Sequence, residues 1–164
     1  MYEGVGEPTP EAAAYLTVTR LQVRRTRPLV LARFLGLSSK SARAARTSRG
    51  FTAGALWVDA HLTFWTVTLW EDGASMSGFA RGPVHQEAMA HLQRCSEVFL
   101  EAAFASGPKA GMPTPSETHR FLTAHATFYA LPQPSADPTA GRVRPPNVRT
   151  ARRLEARLAG ALRP

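Results

Sequence analysis

Residues 48–72 read SRGFTAGALWVDAHLTFWTVTLWED. Gly50 is placed to end a preceding helix. Phe51 to Val58 and Leu62 to Trp70 are rich in aromatic and β-branched residues, and both read as strands. Only Asp59, Ala60 and His61 separate them, and so short a connection makes an antiparallel hairpin. Alternation puts Phe64, Thr66, Thr68 and Trp70 on one face of the second strand and Trp65, Val67 and Leu69 on the other. The second set is wholly apolar and is expected to pack under helices. The first mixes rings and hydroxyls, which suits either a cavity wall or a half-buried face.

Upstream, AYLTVTRLQV at 14–23 is a further strand, and Pro28 opens a helix whose stripe is Leu31, Phe34 and Leu35. Gly36 is expected to break or kink it, with Ser38 or Ser39 capping a second piece to about Thr47. Downstream, Asp72 caps a short helix, and Gly82-Pro83 starts another with His85, Met89 and Leu92 on one stripe. EVFLEAAFA at 97–105 is a closing strand. TPSE at 114–117 is a capping box for a helix from Pro115 to about Ala126. Residues 131–149 are linker-like in composition. Residues 150–164 form a basic amphipathic helix carrying Leu154, Leu158 and Leu162.

Strand, helix, strand, strand, helix, strand is the β-α-β-β-α-β ferredoxin-like order of an α+β domain, here over residues 12–130, with a disordered stretch at 1–11 and an added C-terminal helix. Two helices cover one sheet face. The other face needs a cover, and two such sheets facing each other make a dimeric α+β barrel with an internal cavity. A homodimer is expected.

Composition sets the remaining bounds. The 164 residues suffice for one domain with a real core. No apolar run is long enough for a membrane span, and no basic region precedes one at the N-terminus, so neither a span nor a signal peptide is expected. Cys95 is the lone cysteine, which excludes an internal disulfide and a cysteine-rich zinc site; a cytoplasmic location is the default. The net charge is +8, and nine cations with no acid lie between Arg20 and Arg49. Such a run attracts nucleic acid or anionic lipid, or is simply a solvated helix face; without a nucleic-acid motif the solvated face is preferred.

The segment TLWEDGASMSGFARGPVHQEAM, 68–89, resembles spheroidene monooxygenase-like proteins and, more distantly, antibiotic-biosynthesis monooxygenases of the dimeric α+β barrel superfamily. Leu69-Trp70, Glu71-Asp72, Met76, Phe79, and Ala80-Arg81 followed by a glycine and His85 carry the resemblance, with SEVFLEAAFA as the family's closing strand. It covers about residues 14 to 106. It implies a monooxygenase-like oxidation of a hydrophobic small molecule in the barrel, with or without haem; the alternative is a non-catalytic module for a hydrophobic ligand or haem.

The resemblance implies His85 as the residue that would hold haem iron. In the first turn of its helix, the dipole disfavours imidazolium and leaves the neutral ring a ligand needs. A plain helix-start histidine is the other reading. Haem-degrading relatives place their axial histidine about one turn later, where this chain has Met89. Trp70 and Phe79 could clamp a flat ligand or merely join strand to helix. Arg81 could meet a carboxylate, while Met89, Phe64 and Thr66 would line the pocket. No catalytic residue is assigned. His61, His91, His119 and His125 form no metal cluster, and Cys95 has no activating partner.

Overall fold

A computed structural model of the chain describes residues 14–24, 28–59, 62–106, 111–128, 130–132, 143–146 and 152–154. The elements run β1 (Ala14–Val23), α1 (Pro28–Thr47), β2 (Phe51–Asp59), β3 (Thr63–Trp70), α2 (Gly73–Ala80), α3 (Pro83–Cys95), β4 (Ser96–Ser106), α4 (Pro115–His125), β5 (Thr127–Phe128) and β6 (Arg152–Leu154). The sheet order is β5-β4-β1-β3-β2-β6, with every neighbouring pair antiparallel. Its middle, β4-β1-β3-β2, has the ferredoxin-like order, because α1 carries the chain from β1 past the place that β3 later fills. In the hairpin, Trp57 pairs with Trp65 and Asp59 with Thr63, and Leu62 takes a positive φ of 54° to close the turn.

Helix starts follow the local chemistry. Asp72 accepts from Ser75 N–H at 2.6 Å to open α2. Pro83 sits in the first turn of α3, behind Gly82. Thr114 and Glu117 complete a reciprocal capping box at α4.

The two sheet faces have different covers. Thr17, Thr19, Leu21, Phe64, Thr66, Thr68 and Trp70 lie on the side of α1, α2 and α3. Leu16, Val18, Trp57, Trp65, Val67 and Leu69 lie on the other, clustered with Leu122 of α4 and flanked by Phe121, Met112 and Val143. The wholly apolar face of β3 therefore packs under α4, and the mixed face takes the other three helices. One chain already buries Trp65 and Leu122 completely.

Three expectations are corrected. Gly36 does not interrupt α1, which is continuous over 20 residues. Burial of Phe34, Leu37 and Ala45 along the helix outweighs the roughly 1 kcal/mol that one glycine costs. The buried stripe also differs, since Leu35 is exposed and Leu37 takes its place. Finally, Arg152–Leu154 is a strand on the edge of β2 rather than helix. The unpaired backbone groups of that edge offer it hydrogen bonds that a short terminal helix in water would struggle to match. The rest of the expected helix, the 1–11 segment and most of the 131–149 linker lie outside the described residues.

Gly36 is exposed, and a Cβ there would meet nothing within 4 Å. Gly36→Ala is thus expected to stabilise the fold by about 1 kcal/mol, raising Tm by about 2–4 °C in a thermal melt. An unchanged or lower Tm would mean the helix is strained at that point.

Candidate functional site

A cavity of about 450 Å³ lies between the mixed sheet face and α1, α2 and α3. That is within the range of small-molecule sites. Phe34, Phe64, Trp70, Met76, Phe79 and Met89 give it apolar walls. The polar groups include the hydroxyls of Thr17, Thr19, Thr66 and Thr68, with Ser38, Ser41, His85, Gln86, Gln93, Glu101 and Arg46. Thr17 and Thr68 hydroxyls bond to each other across the β1–β3 pair, and Trp70 Nε1 donates to Thr68 Oγ1 at 2.9 Å. These strand hydroxyls are thereby satisfied in a largely apolar wall.

His85 sits in the first turn of α3, as its spacing from Pro83 predicts. Its Nδ1 lies 3.3 Å from Ser41 Oγ on α1. Its ring lies 4.6 Å from Phe79, tilted by 53°. Burial pushes its pKa below the usual imidazole value, and the negative charge of Glu101 on β4 works against that shift. The neutral ring is favoured at pH 7, while a carboxylate remains near to steady an imidazolium if one forms. His85 and Phe79 also line a second, more polar cleft of about 650 Å³, together with Ser48, Arg49, Glu71 and Asp72. The two rings form part of the partition between this outer cleft and the apolar cavity.

Of the residues singled out in the sequence, Trp70, Phe79, Met89, Phe64, Thr66 and His85 all line the cavity. Arg81 does not. It is the exposed C-cap of α2, its N–H donating to Ser77 O, because α2 ends there. Trp70 and Phe79 stack on each other at 5.1 Å, inclined by 29°. No gap is left between them for a third ring, so they join strand to helix and wall the cavity rather than clamp a ligand. Phe64 is similarly engaged, edge-on to Phe34 at 4.5 Å. His91 points to Val30 O on α1, and His119 to Val143 O. No group of three or more metal-binding side chains occurs among the described residues. Cys95 is buried and its thiol pKa is raised by that burial, the state of an inert thiol.

The sequence pattern alone does not single out Ser41 or Glu101. Ser41 is one of several small residues on a polar-looking helix, and Glu101 is one acid in an apolar strand. The second is a usable signal, since an acid in a mid-sheet strand needs a reason to be there.

No family model matches the chain, and no curated protein is significantly similar to it in sequence. Its fold does match solved structures. A variant of SnoaB, a cofactor-independent oxygenase from Streptomyces nogalater, superposes with a TM-score of 0.50 at 16% identity, covering 63% of this chain and 100% of that one. A provisional antibiotic biosynthesis monooxygenase from Nitrosomonas europaea gives 0.52 at 10% identity, covering 61% and 96%. A Mycobacterium tuberculosis protein gives 0.52 at 12%, covering 60% and 100%. The chain has the ferredoxin-like α+β fold of antibiotic-biosynthesis-monooxygenase-like proteins. No described helix is long and apolar enough to cross a membrane.

Proposed function

We propose that this protein is a cofactor-free monooxygenase acting on an electron-rich, hydrophobic aromatic molecule held between the sheet and α1–α3. One observation carries the reading: the apolar cavity contains a single imidazole, held neutral by burial, with a carboxylate whose charge acts on it. The likeness in fold to a cofactor-independent oxygenase supports it. Nδ1 of His85 is within reach of Ser41 Oγ; in the tautomer that donates there, Nε2 carries the lone pair of a general base. It removes a proton from an acidic ring methylene of the substrate. The carbanion passes its electrons to dioxygen and forms a carbon–oxygen bond. The resulting peroxide loses water across its C–H bond and leaves a carbonyl. One CH₂ and one O₂ become one C=O and one H₂O. Glu101 stabilises the transient imidazolium. The apolar walls exclude water and orient the flat substrate.

The described lining does not suit haem. His85 has the right protonation state for an iron ligand, but two propionates would find one cation, Arg46, and Glu101 would add a third negative charge.

Anthrone, a tricyclic ketone with an acidic ring methylene, tests the reading in chelator-treated buffer. The expected result is catalysed oxygen uptake, one O₂ per quinone formed. Tight binding of such a ring system without uptake above the spontaneous rate would instead make the protein a passive carrier. A stoichiometric Soret shift with haemin, lost in His85→Ala, would restore haem.

A further inference from the structure

The outer face of α1 is cationic and, in two places, apolar. The helix runs for 20 residues, about 30 Å at the usual rise. Its inner side buries Phe34, Leu37 and Ala45. Arg33, Lys40, Arg43 and Arg46 lie on the outer side, all exposed. No aspartate or glutamate occurs from Pro28 to Arg49 to offset them along the helix. Arg49, past the helix end, already has Asp72 as a neighbouring charge and does not belong to this face.

The apolar part is what a merely solvated face has no use for. Among the described residues three large hydrophobic side chains are exposed, and two of them are on α1, Leu29 at 84% and Leu35 at 42%. At the helical period, Leu29, Leu35 and the four cations fall within an arc of about 160°. Beside Arg43 the middle of that arc carries Ala32, Gly36 and Ser39, short side chains that let the helix axis come close to a flat surface. The long cationic side chains can lie along such a surface with their heads turned to its anions.

We propose that this face docks on an anionic lipid bilayer. The helix α1 lies in the plane of the surface, its four cations on lipid phosphates and its two leucines in the interface. Charge and apolar side chains on one helix face match both parts of such a surface, its negative headgroups and its apolar boundary. Nucleic-acid phosphates would engage the cations and leave the leucines without a role. The contact is peripheral and needs no spanning helix. The opposite side of α1 gives Phe34, Ser38, Ser41 and Ala45 to the cavity, so docking holds that cavity about one helix diameter from the phase in which apolar molecules collect. The contact itself does not rest on the reaction proposed for the cavity.

Flotation of the full chain is the test, with vesicles of phosphatidylcholine alone or with about one third phosphatidylglycerol. Association is expected with the anionic vesicles only, and it should fall steeply as salt is added. Each cation at the surface contributes about fivefold, so Arg33→Gln, Lys40→Gln and Arg43→Gln together should weaken partitioning about 10²-fold. Leu29→Ser, which leaves the charge unchanged, should weaken it severalfold. All four positions are exposed, so both variants should melt with the parent. No association with anionic vesicles, or equal association with both kinds, would overturn the site. Parent-like association of the triple variant would overturn it as well, by placing the contact elsewhere on this basic chain. So would a Leu29→Ser variant that floats as the parent does; the face would then be a general polyanion surface, and duplex DNA would bind it equally well.

Discussion

His85→Ala is expected to lower the rate of anthrone-dependent oxygen uptake by about 10²–10⁴-fold, the usual contribution of a positioned base. The loss should fall on kcat rather than on KM, because the aromatic and thioether side chains that hold the ring system remain. His85→Gln keeps the side-chain reach without the basicity and should be nearly as slow. A loss confined to KM would reduce His85 to a wall residue. The pH profile gives a second readout. Burial lowers the His85 pKa, so the neutral base persists below the usual imidazole range. Activity is therefore expected to fall with acid only through an apparent pKa below 6.5. In His85→Gln that limb should vanish. The same shift links to stability. The unfolded chain binds a proton near pH 6.5 while the folded ring does not, so stability is full above that pH and declines as pH drops toward the lowered folded value. Removing His85 should flatten this slope in melts between pH 7 and 5. A slope unchanged by the variant would mean that other groups set it.

Leu122→Ala is expected to destabilise the protein by about 2–5 kcal/mol. Leu122 is fully buried in the cluster that joins α4 to Leu16, Val18, Trp57, Trp65, Val67 and Leu69. Truncation leaves a cavity at the centre of the only described helix on that face. Tm should drop by roughly 10 °C, at about 2–4 °C per kcal/mol for a chain of this size. As α4 loosens, the apolar face becomes available to a second copy, so the variant should also self-associate more readily than the parent in light scattering. A Tm within 1 °C of the parent would show that α4 does not hold this face closed. The contrast with position 36 is instructive: there a side chain is added in open space, here one is removed from a filled one.

Short-range chemistry settles most of the elements. The hairpin is legible because two alternating runs flank three residues, and antiparallel pairing is the only geometry so short a link allows. Helix starts at Asp72, Pro83 and Thr114 are legible because a cap is a contact within three residues. The order of elements, and so the ferredoxin-like fold, follows. His85, Met89, Phe64, Thr66, Trp70 and Phe79 reach one cavity because strand and helix periods place them on matching faces.

What local pattern does not carry, tertiary packing decided. An apolar face on β3 calls for a cover, but periodicity does not say which helix supplies it; α4 does, from more than forty residues away in sequence, and the mixed face takes the other three helices. Glycine at 36 reads as a break because its propensity is local, whereas the burial that carries α1 through it is not. Ser41 and Glu101 meet His85 from α1 and β4 only once the sheet has formed. Arg20 looks like one more member of a cationic run, yet strand alternation and the cover of α4 take it inside, over Trp65. Hydrophobic spacing constrains which side of an element is buried; it holds no information about which polar side chains from distant elements are buried with it. That depends on the free energy of the assembled core, to which every element contributes at once.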